Sequence, residues 1–341
     1  MKYVSIILVV FFMGCTPQPT PPQKEENTAE PKSHHESLPM AAAPIHVGII
    51  GDWGTGSQGQ RKVFQMVQRL DQSSPFNFLL TVGDNFYPSG VDSVTDEKWR
   101  TVFEETYGSL GRTVFASLGN HDHRGHVGAQ VAYSQQKTTW RMPARYYSFT
   151  QPMSEHISVL FVAIDTEPLW QNKDPAQLKW IEHTLKTSQS HWKIVFGHHP
   201  IFSSGPHGDN ESLIKTLEPI LVKNQADVYI AGHDHALEIN RPGERIVHVV
   251  SGGGGGKERA YPISPFAKHI YGETGGGFIS LKLSVDALEI QPHPMGKPQP
   301  QPYILTKQPA QPKAHPSDTK NHVQGDSAAP LSSGKQSPKQ E

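Results

Sequence analysis

Gly83-Asp84-Asn85-Phe86-Tyr87 closes the apolar run Phe78-Leu79-Leu80-Thr81-Val82. A short apolar run of this kind reads as a buried strand. It delivers a carboxylate at its carboxyl end, with a phenol three residues later. Asp84 has two oxygens and can place one on each of two cations. Tyr87, once deprotonated, is a hard anionic oxygen suited to a trivalent ion such as Fe(III). Gly-Asp-Asn is also an ordinary turn sequence, so these five residues leave a turn and a metal site both open. The rest of the chain decides between them.

Strand-like runs recur on both sides, each ending in Gly and polar residues. Ile45–Ile50 leads into Gly51-Asp52-Trp53-Gly54, and Val114–Leu118 into Gly119-Asn120-His121-Asp122. Trp192–Phe196 leads into Gly197-His198-His199-Pro200, and Val228–Ala231 into Gly232-His233-Asp234-His235. α/β folds build their sites at such strand ends, and the leading Gly lets the backbone turn sharply. One His after a strand reads as a hydrogen-bonded structural residue. Five such arrivals read as a metal centre.

Val63, Phe64, Val67 and Leu70 fall at helical spacing, which predicts a helix over Gln60–Asp71. Further helices are expected over Asp96–Tyr107, Pro175–Thr187 and Ser212–Lys223. Strands are expected over Ile157–Ile164, Ile246–Val250, Gly277–Leu283 and Leu288–Ile290. Strands alternating with helices, then a run of strands, predict a layered α/β fold. The folded part, residues 45–291, has the size of one domain.

The ends differ in composition. Met1–Gly14 has Lys2 followed by the apolar stretch Val4–Met13, too short to span a bilayer as a helix, and reads as a signal segment. Cys15, the only cysteine of 341 residues, follows at once and resembles a bacterial lipoprotein box. Residues 1–15 are therefore expected to export the chain to the cell envelope and anchor it to a membrane through lipid on Cys15, with plain secretion as the alternative. Residues 16–44 and 292–341 are rich in Pro, Gln, Ser and charged residues and read as a disordered linker and tail. A net charge of −1 argues against a nucleic-acid partner.

The five motifs, in this order, resemble the metallophosphoesterases. Tyr87 narrows the resemblance to purple acid phosphatases of the small, tartrate-resistant type. Asp122-His123-Arg124-Gly125, Ala129-Gln130-Val131-Ala132-Tyr133-Ser134 and Gly275-Gly276-Gly277-Phe278 extend it. The resemblance implies a single-domain, four-layer α/β/β/α metallophosphoesterase sandwich and a dinuclear metal centre. Fe(III) would be held by Asp52, Asp84, Tyr87 and His235. A divalent Fe, Zn or Mn would be held by Asp84, Asn120, His198 and His233. A metal-bound hydroxide would attack a phosphomonoester, with His121 and His207 beside the leaving group. Asp122 would orient His121 or cap a turn. Two departures stand out. The exposed loop that tartrate-resistant relatives carry after the Asp-Thr pair, here Asp165-Thr166, is missing, and so is their disulfide.

Rival readings start from other features. Gly54-Thr55-Gly56-Ser57-Gln58-Gly59 fits the dinucleotide pattern G-x-G-x-x-G, but Asp52 would face a pyrophosphate there and no acidic residue follows at the expected spacing. Closer alternatives are a phosphoesterase acting on diesters, nucleotides or pyrophosphates, and an inactive surface binding lipoprotein.

Overall fold

The structure is a computed structural model that describes residues 35–41, 44–243, 245–256 and 269–308. The signal segment, Cys15, most of the expected linker and the end of the tail lie outside the described residues. In chain order the strands begin with β1 (His35–Ser37), β2 (Ile45–Ile50), β3 (Phe78–Val82), β4 (Val114–Ser117), β5 (Trp140–Arg141), β6 (Tyr147–Pro152) and β7 (Ser158–Ala163). They continue as β8 (Trp192–Phe196), β9 (Val228–Ala231), β10 (Ala236–Asn240), β11 (Val247–Ser251), β12 (His269–Thr274), β13 (Gly277–Leu283), β14 (Ala287–Pro294) and β15 (Tyr303–Thr306). The α-helices are α1 (Gln58–Ser73), α2 (Val127–Tyr133), α3 (Thr166–Trp170), α4 (Pro175–Thr187), α5 (Glu211–Thr216) and α6 (Glu218–Lys223).

Two sheets form. One has the order β15-β14-β13-β2-β3-β4-β5, the other β1-β6-β7-β8-β9-β11-β10-β12. The central strands β2, β3 and β4 run parallel, as do β7, β8 and β9. Parallel strands covered on both faces read as continuous apolar runs, which is why their sequences show them. In β7 the side chains divide by parity. Val159, Phe161 and Ala163 join the core that includes the facing sheet, while Leu160 and Val162 pack with Ile181 and Leu185 of α4. Between the sheets, Phe149 of β6 stacks on Phe115 of β4 at 3.8 Å and on Phe161 at 4.9 Å. Helices α3 to α6 cover one outer face. On the other side of the molecule, α1 buries Val63 and Val67 in the first core. This is the expected sandwich of two sheets flanked by helices.

The glycine-rich stretch before α1 has a packing role. A Cβ on Gly54 would lie 1.8 Å from the Asn85 carbonyl oxygen, so glycine is there to let the two site loops meet. The start of α1 is already served: Ser57 accepts from Gln60 N at 3.3 Å, and Gln60 Oε1 accepts from Gly56 N at 2.6 Å.

Three expectations are corrected. Asp96–Tyr107 is not one α-helix. A wide π-type turn over Trp99–Glu104 gives way to a 3₁₀ turn over Tyr107–Leu110. Trp99, stacked on Tyr133 at 3.6 Å, is fixed by tertiary packing, and Thr106 Oγ1 donates back to the Val102 carbonyl. Ser212–Lys223 breaks at Leu217, because Pro219 in the first turn of α6 has no N–H to continue the ladder. The ordered fold also extends past 291: β14 reaches Pro294 and β15 pairs with it, while β1 forms inside the expected linker. β15 stops opposite Ile290, so Pro292 and Pro294 leave no ladder bond unmade on that edge.

Candidate metal centre

The loops after β2, β3, β4, β8 and β9 converge at one end of the sandwich, where parallel strands from both sheets point the same way. Asp52 (φ 56°), Asp84 (φ 53°) and His233 (φ 70°) have left-handed backbones. Such strain in non-glycine residues costs on the order of 1–3 kcal/mol each and gathers at functional sites. Gly119 shows how tight the approach is: a Cβ there would lie 2.3 Å from Asp84 Oδ1.

Asp84 stands between two groups of donor atoms. Its Oδ2 accepts from the Tyr87 hydroxyl at 2.8 Å, and that hydroxyl also lies 3.2 Å from Asp52 Oδ1 and 3.5 Å from His235 Nε2. His235 Nε2 lies 3.5 Å from Asp52 Oδ1. On the other side, Asp84 Oδ1 is 3.5 Å from His198 Nε2, which lies 3.1 Å from Asn120 Oδ1 and 3.2 Å from His233 Nδ1. All seven residues expected to hold metal are brought together here, in the two groups expected. Asp52, Asp84 and His198 are buried, and among the described His, Cys, Asp and Glu residues these three each offer a ligand atom within 4.8 Å of the other two.

The donor set fits cations. His198 Nδ1 lies 2.9 Å from the Val82 carbonyl and must donate to it, leaving a lone pair on Nε2 facing Asn120 and Asp84. Burial would discourage charge on His198, but Asp84 and Asp52 outweigh it and pull the imidazole's pKa up. Burial would push Asp52 up, yet its hydrogen bond with His235 and the nearby His198 and His233 hold it low. Burial and the two carboxylates together push the Tyr87 phenol far up. The upward shifts of His198 and Tyr87 report the carboxylates buried beside them, and a bound cation reverses the effect on Tyr87.

The two expected leaving-group histidines flank this cluster. His121 Nδ1 lies 2.6 Å from the Pro88 carbonyl and donates to it, while its Nε2 is 3.9 Å from Asp84 Oδ2. Asp122 does not orient His121. Its buried carboxylate accepts from Gly119 N (2.8 Å), Asn85 N (3.1 Å), Asn85 Nδ2 (3.2 Å) and Gln130 Nε2 (2.9 Å), tying together the loops after β3 and β4. His207 Nδ1 lies 2.6 Å from Asp234 Oδ1, and Ser203 Oγ donates to Asp234 Oδ2 at 2.5 Å. Asp234 is fully buried. It is a site residue the motif reading passed over, although it sits between His233 and His235.

Residues 45–237 match the family described as Calcineurin-like phosphoesterase. The chain belongs to that family. This phosphoesterase is 31% identical to tartrate-resistant acid phosphatase type 5 of Oryctolagus cuniculus, over 72% of its own length and 85% of the relative's. It is 34% identical to purple acid phosphatase 7 of Arabidopsis thaliana, over 69% and 78%. Its fold is shared with the GAP50 anchor of the inner membrane complex of Plasmodium, at a TM-score of 0.70 and 22% identity over 80% of this chain and 90% of that one.

Proposed function

We propose that this phosphoesterase is an acid phosphatase that hydrolyses phosphomonoesters at a dinuclear centre. Asp52, Asp84, Tyr87 and His235 would hold Fe(III), and Asp84, Asn120, His198 and His233 a divalent Fe, Zn or Mn. The observation that carries this reading is the division of Asp84, one oxygen toward Tyr87 and the other toward His198. The anionic, phenol-bearing group suits the harder ion, and the group with neutral Asn and His suits the divalent one. When bound, such a pair supplies a hydroxide nucleophile and Lewis-acid contacts to the phosphate oxygens. The named acid phosphatases among its relatives support the choice of monoesters.

The protein's own groups handle the leaving oxygen. Asp234 fixes His207 through Nδ1 and the Pro88 carbonyl fixes His121 through Nδ1. In each ring Nε2 is then the nitrogen free to present a proton to substrate. The test is a rate comparison across alkyl monoesters, aryl monoesters, diesters and pyrophosphate. Monoesters should be turned over fastest, and diesters faster than monoesters would overturn the reading. In the same assay His207→Ala and His121→Ala should slow alkyl phosphates by about 10²-fold and activated aryl phosphates much less. Equal losses on both would make these histidines phosphate-positioning groups.

Tyr87 gives a separate readout. A phenolate on Fe(III) absorbs visible light, so the purified protein should be coloured and Tyr87→Phe colourless with an unchanged circular dichroism spectrum. Colourless, fully active wild type containing only zinc or manganese would reject the iron assignment.

A further inference from the structure

Beside the donor cluster lies an open cavity of about 750 Å³, reached by Asn120, His207 and His233 from the centre. A volume of this order holds a whole small organic molecule rather than a phosphate alone. Its wall away from the centre is α3, and there stands Trp170, 40% exposed. Among the exposed large hydrophobic residues described, the others are aliphatic (Met40, Val222, Ile270 and Ile304), and none of those lines the cavity.

The indole is held in place. Its Nε1 donates to Glu167 Oε2 at 3.2 Å, and Glu167 Oε1 in turn accepts from Gln171 Nε2 at 2.7 Å. The ring tilts against His199 with centroids 5.8 Å apart. The helix itself is tied to the centre, because Thr166 Oγ1 at its start accepts from the backbone N–H of His198 (3.2 Å) and His199 (2.9 Å). Trp170 is therefore at a fixed distance from the strand end that carries His198. A flat apolar face held rigidly in a polar cavity selects for a flat ligand, since little entropy is lost on stacking. Arg124, whose Nη1 lies 3.3 Å from His121 Nδ1, also lines the cavity.

We infer that Trp170 is a specificity-determining residue: it forms, with α3, a subsite that stacks a planar ring carried by the leaving group of the phosphate ester. This rests on the phosphoesterase reading of the centre, but not on turnover. The ring could belong to an aryl ester or to a nucleoside, and the two differ in how far the ring lies from phosphorus.

The test measures binding by calorimetry on metal-loaded protein with non-hydrolysable ligands: methylphosphonate, phenylphosphonate, and an adenosine 5′-monophosphate analogue with methylene in place of the ester oxygen. Wild type should prefer a ring-bearing ligand over methylphosphonate by about tenfold or more, and Trp170→Ala should erase that preference. Trp170→Phe should restore most of it. Loss confined to phenylphosphonate identifies an aryl-ester subsite, and loss confined to the adenosine ligand a nucleoside one. A ring preference unchanged in Trp170→Ala, or equal loss of affinity for all three ligands, would overturn the inference. Because methylphosphonate binding reports on the centre alone, failure of all three ligands to bind wild type would reject the phosphate site itself.

Discussion

Replacing Asp84 with Ala should strip both metals at once and lower phosphatase activity by about 10³-fold or more. Asp84 places one oxygen in each donor group, Oδ2 at the Tyr87 hydroxyl and Oδ1 at His198. Asp84 Oδ1 also accepts from His121 N at 2.9 Å, so the loop that carries Asn120 and His121 loosens with it. Metal analysis of the purified variant is the direct check, and one ion at full occupancy would show that Asp84 is a terminal ligand. Stability should behave differently from activity. Without metal, Asp52 and Asp84 are buried carboxylates in one pocket, and Asp84 pushes Asp122 up as well. Asp84→Asn removes a buried charge and should leave the metal-free protein at least as stable as metal-free wild type. Added metal, which stabilises the folded state only where it binds, should raise the melting temperature of wild type and not of the variant.

Most of this centre was legible in the sequence because its residues follow buried parallel strands. Runs such as Phe78–Val82 and Val228–Ala231 announce themselves by composition, and the residue after each is then placed at a strand end. Where structure depends on contacts distant in sequence, the reading failed. Trp99 gains its place from Tyr133 and Trp140, and a spacing argument sees only a helix. β14 alternates half-buried and buried residues through Pro292 and Pro294, but prolines made that stretch look like tail. β6 and β10 were not read at all, since Tyr147–Pro152 and Ala236–Asn240 mix polar and apolar residues that only their neighbouring strands put to use. The same holds inside the site. The partners of His121 and His207 are a carbonyl and an Asp from other loops, and no spacing within one motif reports them.

Asp122→Ala should be the most destabilising change at the site that touches no proposed metal ligand side chain. The carboxylate has no exposed surface, and each of its hydrogen-bond partners is a donor. Alanine leaves the buried N–H groups of Gly119 and Asn85 without partners, at about 1–3 kcal/mol each. Chemical denaturation should therefore find the variant about 2–5 kcal/mol less stable, with activity falling as the loops after β3 and β4 separate. The same carboxylate gives metal-free protein a particular pH response. Burial, and then the charge of Asp84, push Asp122 up to about 6, against 3.8 for the free side chain, while its donors resist. Between those two values the folded state holds more proton than the unfolded chain, so Asp122's contribution to stability is greatest below pH 4 and falls as pH rises through 6. Asp122→Asn cannot titrate, so chelated wild type should lose stability more steeply than this variant from pH 4 to 6. Metal loading offsets the Asp84 charge and should flatten the wild-type slope. Parallel slopes for wild type and Asp122→Asn without metal would mean that the surrounding donors keep Asp122 ionised across the whole range.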